Sequence, residues 1–549
     1  MSLNAELISR LSDKHPKPAE ITFQYGTAGF RTLGNVLDSV LFRTGIVAGL
    51  RSKKLDGKTV GVMVTASHNP EEDNGVKIVD SRGEMLETNW ESHVTALANA
   101  QTGPELIDAL NTFVVTHKID LSKPARVVYA RDTRPSGPAL VAALQHGLEA
   151  IGAEARDAGI QTTPVLHYLV RCINTKGTKD EYGVDSPEGY YDKLATAYLK
   201  LVGSHTSAAP LVVDCANGVG AFAIEAIAPR LASHLTLKPH NVAIGKEGHL
   251  NFQCGADFVK TQQKLPPSLA GVLKPGDRAA SFDGDADRII YYYLDDRGAF
   301  HMLDGDKIAA LVTAYISDLV KGAGLEGKLE VGVVQTAYAN GSSTKYLSDR
   351  VPVRCVATGV KHLHHAAEHF SIGVYFEANG HGTVVFSPSC MDVLHSHAPS
   401  TPAEQDALTL LVALCDVINQ TVGDALSDLL LVEAVLAHRG YGGEEWDSLY
   451  ADLPNRLVKV AVPDRGVFKT EDAERRLVSP PGVQTRVDEL VRQVESGRSF
   501  VRPSGTEDVV RVYAEARTRQ ECDELAFKVA GLVYDSQGGD PAKRPREFL

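Results

Sequence analysis

Short apolar runs of strand length alternate with longer helix-periodic stretches along most of this chain, and that alternation constrains the fold more than any other feature. Ile289–Leu294 precedes a helical pattern over Asp306–Val320, Leu329–Val334 precedes Asn340–Leu347, and Val351–Val356 precedes a His-rich helix from Lys361. Strands that return to the same sheet through a helix run parallel, so the pattern predicts an α/β protein. At 549 residues the chain is too long for one hydrophobic core, and it should divide into about three to five domains. A division at 1–185, 186–298, 299–436 and 437–549 is expected. The polar, glycine-bearing stretch Thr175–Ser186 marks the first boundary, and a strand-rich pattern from about Tyr441 makes the last region α+β.

Within this frame four loops carry chemistry. The first, Thr65-Ala66-Ser67-His68-Asn69-Pro70, follows the apolar strand Val60–Val64. A hydroxyl beside a histidine at the end of a buried strand is suited to a nucleophile, yet Thr65, Ser67 and Asn69 could equally cap the turn that follows. The second, Asp283-Gly284-Asp285-Ala286-Asp287-Arg288, lies between two apolar strands. Three carboxylates at i, i+2 and i+4 repel one another unless a cation sits among them, and an all-oxygen set selects a hard divalent ion, Mg²⁺. An EF-hand is excluded, because Arg288 and Leu294 fall where that loop needs glycine and glutamate.

The third loop, Arg502-Pro503-Ser504-Gly505-Thr506 with Arg511 beyond it, combines guanidiniums, hydroxyls and a glycine in the manner of a phosphate cradle. Ordinary turn chemistry competes with that reading. The fourth, Glu377-Ala378-Asn379-Gly380-His381-Gly382, is a hairpin tip whose carboxylate and amide could grip sugar hydroxyls or do no more than set register. Near the N-terminus Tyr25–Arg31 is a glycine-rich loop ending in a guanidinium, and Arg131–Gly137 lies at the end of the Arg126–Ala130 strand. Gly218-x-Gly220-x-x-Ala223 has the spacing of a dinucleotide fingerprint without an acidic residue about twenty positions on, so it reads as a tight strand–helix turn.

Composition removes other classes. A net charge of −13 disfavours nucleic acid and anionic membranes as partners, and an anionic substrate then needs a local basic site. The seven cysteines are scattered with no C-x-x-C pair, as in reduced cytosolic proteins. With no signal-like segment and no apolar run of membrane-spanning length, a cytoplasmic location is expected.

Thr65–Pro70, Asp283–Arg288, Glu377–His381 and Arg502–Thr506, in this order over nearly the whole chain, resemble the α-D-phosphohexomutase superfamily. Glu377–Gly382 and Thr358–His365 resemble the phosphoacetylglucosamine mutase branch more than the glucose or mannose branches. Other branches place the Arg-Asp-x-Arg segment before the serine loop, whereas here Arg131–Gly137 follows Ser67, which implies a rearranged strand order in the first domain.

The resemblance implies three mixed α/β domains and a C-terminal α+β domain around a central cleft, each giving one loop. The implied enzyme interconverts N-acetylglucosamine 6-phosphate and 1-phosphate through a phosphoserine and a bisphosphorylated sugar, which doubles as activator, and feeds UDP-N-acetylglucosamine synthesis. It implies one Mg²⁺ held by Asp283, Asp285, Asp287 and the Ser67 phosphate. Arg31, His68 and Arg288 would surround the transferring group, and Lys361 would act as general acid or base. Glu377, Ala378 and Asn379 would bind the sugar, and Arg502, Pro503, Ser504, Gly505, Thr506 and Arg511 the phosphate that is not reacting. A monomer or weak dimer is expected, with a phosphorylated amino sugar as substrate.

Overall fold

The computed structural model describes residues 2–26, 29–206, 209–504, 509–536, 539 and 541–548. Their contacts divide the chain into two compact units. One comprises Met1–Asp304, Asn379–Thr383 and Thr409–Gly443; the other comprises Gly305–Ala378, Val384–Leu408 and Glu444–Leu549. No described helix is long and apolar enough to cross a membrane.

The first unit holds two five-stranded sheets. Strands β1 (Phe30–Leu33), β2 (Val60–Val64), β3 (Asp73–Val79), β4 (Arg126–Arg131) and β5 (Glu154–Ile160) lie in the order β1-β3-β2-β4-β5. β2 is parallel to β4 and antiparallel to β3. Every residue of β2 is buried, as a continuous apolar run in a covered central strand must be. The Asp38–Lys54 helix closes one face and is itself almost wholly buried. Because β2 and β4 run the same way, the serine loop and the Arg131–Gly137 loop leave the sheet at the same edge.

The second sheet contains β6 (Leu211–Asp214), β7 (Leu237–His240), β8 (Arg278–Phe282), β9 (Ile289–Leu294) and β10 (Phe300–Leu303), in the order β10-β9-β8-β6-β7. β6, β7 and β8 are parallel, and β8 turns back antiparallel into β9. The acidic loop is that turn. The glycine spacing at Gly218 and Gly220 is explained here by close packing: a Cβ on Gly218 would lie 2.5 Å from the Gly284 carbonyl oxygen, and Val219 N–H donates to the same oxygen at 3.1 Å.

In the other unit, β11 (Val331–Thr336), β12 (Val353–Val356), β13 (Ile372–Phe376) and β14 (Gly382–Phe386, of which Val384 onward belongs to this unit) form a sheet in the order β12-β11-β13-β14. The chain then makes β15 (Asn455–Ala461), the hairpin β16 (Lys469–Glu471) and β17 (Arg476–Ser479), and β18 (Arg498–Pro503) and β19 (Val509–Glu515). β15, β19 and β18 form an antiparallel sheet against the Arg519–Ser536 helix. The chain has two tryptophans. Trp90 is buried in the first unit, edge-on to Phe113 at 4.9 Å; Trp446 is buried in the other, its indole N–H donating to the Lys307 carbonyl at 3.0 Å.

Candidate active site

Thr65 starts the serine loop and does the capping work that its residue type suggests. Its hydroxyl donates to Asp132 Oδ2 at 2.7 Å and accepts the Ser67 N–H at 3.0 Å. Ser67 itself is buried and left-handed, with φ of 52°. For an L residue that costs about 1–2 kcal/mol and persists only where surroundings impose it. The surroundings are Arg134 and Asn251. The wholly buried Arg134 guanidinium donates to the Ser67 and Asn69 carbonyls at 2.9 Å, to Asp73 O at 2.8 Å and also to Pro70 O, with Nε paired to Asp132 Oδ2 at 3.0 Å. Asn251 Nδ2 reaches the same two loop carbonyls, at 2.9 Å for Ser67 and 3.0 Å for Asn69.

The Ser67 hydroxyl donates to Asp283 Oδ2 at 2.6 Å. The close approach of the two loops needs Gly284, where a Cβ would lie 2.6 Å from the Ser67 carbonyl oxygen. Asp283, Asp285 and Asp287 are all buried, with one carboxylate oxygen from each within 4.8 Å of the others. Asp283 Oδ1 accepts the N–H groups of Asp287 (3.0 Å) and Arg288 (3.2 Å), and Asp285 Oδ2 accepts the Thr163 hydroxyl at 2.6 Å. Lys77 Nζ lies 3.5 Å from Asp285 and 3.4 Å from Asp287, and His381 Nδ1 lies 3.5 Å from Asp287. Asp285 Oδ1 is buried with no hydrogen-bond partner among the described residues. An orphaned carboxylate oxygen beside two more carboxylates and a serine hydroxyl is an all-oxygen donor set that fits Mg²⁺.

The electrostatics are asymmetric. Burial and the charges of Asp287 and Asp285 push the Asp283 carboxyl well above the usual range. Burial acts the same way on Asp287, but Lys77 and His381 outweigh it and hold that carboxyl well below the usual range. The half-buried His68 has its pKa pushed down to about 2 by desolvation and by the positive charges of Arg288 and Arg31. It is therefore a neutral imidazole, 3.5 Å from the Ser67 hydroxyl through Nδ1. Arg31 donates to Asn69 Oδ1 at 3.2 Å, and Arg288 Nε lies 3.9 Å from Asp283 and 3.8 Å from Asp287. Ser67, His68, Arg31, Arg288 and the three aspartates are thus brought together within one unit.

The hairpin tip is anchored by Gly380, with φ of 86°; its carbonyl accepts the Ile289 N–H at 3.1 Å, and a Cβ there would lie 1.9 Å from Ile289 O. That docking sets His381 beside Asp287, and Asn379 caps the turn by accepting the His381 N–H at 3.0 Å. Glu377 and Ala378 are half-buried and belong to the other unit, with Lys361, buried in the first turn of the Val360–Ala367 helix. Arg502 and Arg511 are directly opposite one another on β18 and β19, so their side chains share a sheet face. Pro503 closes β18, and Ser504 N–H donates to Val509 O at 2.9 Å. Gly505 and Thr506 lie outside the described residues.

Sequence reasoning singled out none of Lys77, Asp132, Arg134, Thr163, Asn251 and His381 as a site residue. Local signals were the Arg131-Asp132-Thr133-Arg134 stretch, two arginines and an aspartate at a strand end, and the Glu377–Gly382 hairpin tip that contains His381.

Family models match four successive parts of the chain. "Phosphoglucomutase/phosphomannomutase, alpha/beta/alpha domain I" matches 47–105 and 104–178, and the "C-terminal domain" of the same family matches 457–532. "Phosphoacetylglucosamine mutase AMG1, domain II" matches 180–290 and "domain III" matches 304–441. The phosphoacetylglucosamine mutase of Sus scrofa is 48% identical, with 98% of each chain covered. The crystal structure of Aspergillus fumigatus N-acetylphosphoglucosamine mutase in complex with GlcNAc-6P and magnesium is 51% identical, with a TM-score of 0.93, over 97% of this chain and 99% of that one. A variant of that fungal enzyme, in complex with glucose 1,6-bisphosphate, matches with the same identity, coverage and TM-score.

Proposed function

Because the chain belongs to the phosphoacetylglucosamine mutases of the α-D-phosphohexomutase superfamily, we propose that Ser67 carries its phosphoryl group and interconverts N-acetylglucosamine 6-phosphate and 1-phosphate. The observation that carries this reading is the buried, left-handed Ser67, whose hydroxyl is set 2.6 Å from Asp283 in the carboxylate triad. In the resting enzyme Ser67 is phosphorylated. The substrate's free hydroxyl attacks that phosphorus; the new P–O bond forms as the bond to Ser67 Oγ breaks, and the hydroxyl proton passes to a base, for which Lys361 is the candidate. The departing Ser67 Oγ takes up a proton; the bisphosphorylated sugar turns over, the Ser67 hydroxyl gives that proton up as it attacks the other phosphorus, the P–O bond to the sugar breaks, and the sugar oxygen receives the proton held by the base, giving the isomer and restoring the phosphoserine.

Mg²⁺, when bound by Asp283, Asp285, Asp287 and a phosphoserine oxygen, offsets the charge of the transferring group. Arg31 and Arg288 add fixed positive charge around it, and His68 contributes a neutral hydrogen-bonding edge. Arg134 and Asn251 hold the serine loop by the Ser67 and Asn69 carbonyls. Glu377, Ala378 and Asn379 hold the sugar; Arg502, Pro503, Ser504, Gly505, Thr506 and Arg511 hold the phosphate at rest. The four-part division at 1–185, 186–298, 299–436 and 437–549 follows the same reading, as do a cytoplasmic location and a monomer or weak dimer. The product is a sugar 1-phosphate, the chemistry that uridylyl transfer consumes to make UDP-N-acetylglucosamine.

The test is Ser67→Ala in a coupled assay on N-acetylglucosamine 6-phosphate, with intact-mass measurement of both proteins. Wild type should be one phosphate heavier and the variant inactive though folded. Wild-type turnover in the variant would refute the phosphoserine.

A further inference from the structure

The turn joining β16 to β17 contains three successive non-glycine residues in left-handed conformation, Asp472 (φ 51°), Ala473 (54°) and Glu474 (66°). Each is disfavoured for an L residue, so a run of three marks a backbone held in place by what its side chains reach. Glu474 reaches two segments distant in sequence. Oε1 accepts Arg502 Nε at 2.8 Å, and Oε2 accepts the Thr358 backbone N–H at 2.8 Å, just ahead of the helix that carries Lys361. Both charged side chains are largely withdrawn from water, 17% exposed for Arg502 and 19% for Glu474. Burial alone would raise the Glu474 carboxyl; hydrogen bonds from Arg502 and Thr358 hold it below the usual range, so it is an anion.

The contact geometry separates two roles for such an anion. A carboxylate that occupied the phosphate's place would hold the guanidinium with both oxygens in a bidentate fork. Glu474 instead gives Arg502 a single oxygen, at Nε, and its second oxygen is committed to Thr358. The flanking Arg511, which faces Arg502 across the ladder, has a buried Nε without a hydrogen-bond partner among the described residues. We propose that Glu474 is a positioning residue for substrate binding: it fixes the Arg502 guanidinium by its Nε edge, so that the terminal N–H groups are presented to the resting phosphate, and ties that arginine to the Thr358–Lys361 segment. The inference rests on the assignment of the Arg502 loop to phosphate.

Steady-state kinetics on N-acetylglucosamine 6-phosphate for Glu474→Gln, Arg502→Ala and the double variant, with thermal unfolding of each, test it. The resting phosphate is bound alike in ground and transition states, so the loss falls on KM rather than kcat. Arg502→Ala should raise KM about tenfold or more, and Glu474→Gln about three- to tenfold. Since Glu474 acts through Arg502, Glu474→Gln should add little further rise in the Arg502→Ala background. An equal rise in both backgrounds, or an unchanged KM in Glu474→Gln beside a raised one in Arg502→Ala, overturns the positioning role. A lowered KM in Glu474→Gln also overturns it, because it would make Glu474 a competitor of the phosphate. An unchanged KM in Arg502→Ala overturns the phosphate assignment itself, and the inference with it.

Discussion

Arg134 shows what one residue does for this site. Its guanidinium satisfies four loop carbonyls and one carboxylate while wholly buried, so a lysine in its place has too few donors and the wrong shape. Arg134→Lys should destabilise the fold by about 3 kcal/mol or more and leave little turnover; urea unfolding beside the coupled assay measures both. His167 gives a pH dependence. It is wholly buried, Nδ1–H donating to Gly83 O at 2.6 Å, and burial together with Lys77 pushes its pKa down to about 3. The unfolded chain protonates this histidine near pH 6.5 and the native state does not, so stability falls as pH drops below about 6.5, down to about 3. Between about pH 7 and 5 its share is about 2 kcal/mol, and His167→Gln should flatten that part of the profile. A profile unchanged in the variant would contradict the burial of a neutral imidazole. Legibility differs residue by residue for a physical reason. Ser67 and the aspartates announce themselves through local chemistry, a hydroxyl at a strand end and three charges in five positions. Lys77 and Thr163 look ordinary where they stand and acquire meaning only through partners 210 and 122 residues away, and His381, though in a flagged loop, shows its role only through Asp287, 94 residues away.

At the scale of elements, the strand-to-loop logic was readable and the loop-to-loop contacts were not. Val60–Val64 and Ile289–Leu294 are strands over the bounds their apolar runs suggest, because a strand buried along all or nearly all of its length reads as one continuous apolar run. The helices Thr88–Ala98 and Gly103–Thr116 leave a weak trace in the sequence, since each buries only four residues and its pattern is diluted by polar ones. The role of Gly380 was equally hidden: hairpin-tip glycines are common, and only the fold reveals the Ile289 backbone 1.9 Å from where its Cβ would be. Gly380→Ala should therefore cost about 2–4 kcal/mol and release His381 from the acidic loop, to be read as a lower urea midpoint together with reduced kcat. A midpoint equal to wild type would mean that the tip is not docked as described.

For the whole molecule, the α/β class followed from alternation and length, and the four family matches follow one another along the chain as the four loops do. The carboxylate triad couples metal to stability. Mg²⁺ at a hundred times its dissociation constant should stabilise the native state by about 2.7 kcal/mol, and chelation or Asp285→Asn should remove both that gain and activity. Calorimetry with and without chelator reads it, and indifference to chelator in the wild type would exclude a bound ion. The two buried tryptophans, one in each compact unit, give the chain a pair of intrinsic optical reporters. With Trp446→Phe the remaining emission follows melting around Trp90, in the unit that contains all three aspartates; with Trp90→Phe it follows the other. Fluorescence melts of these two variants, titrated with Mg²⁺, would then resolve in colour and temperature which half of the polypeptide the ion holds together, without any added label.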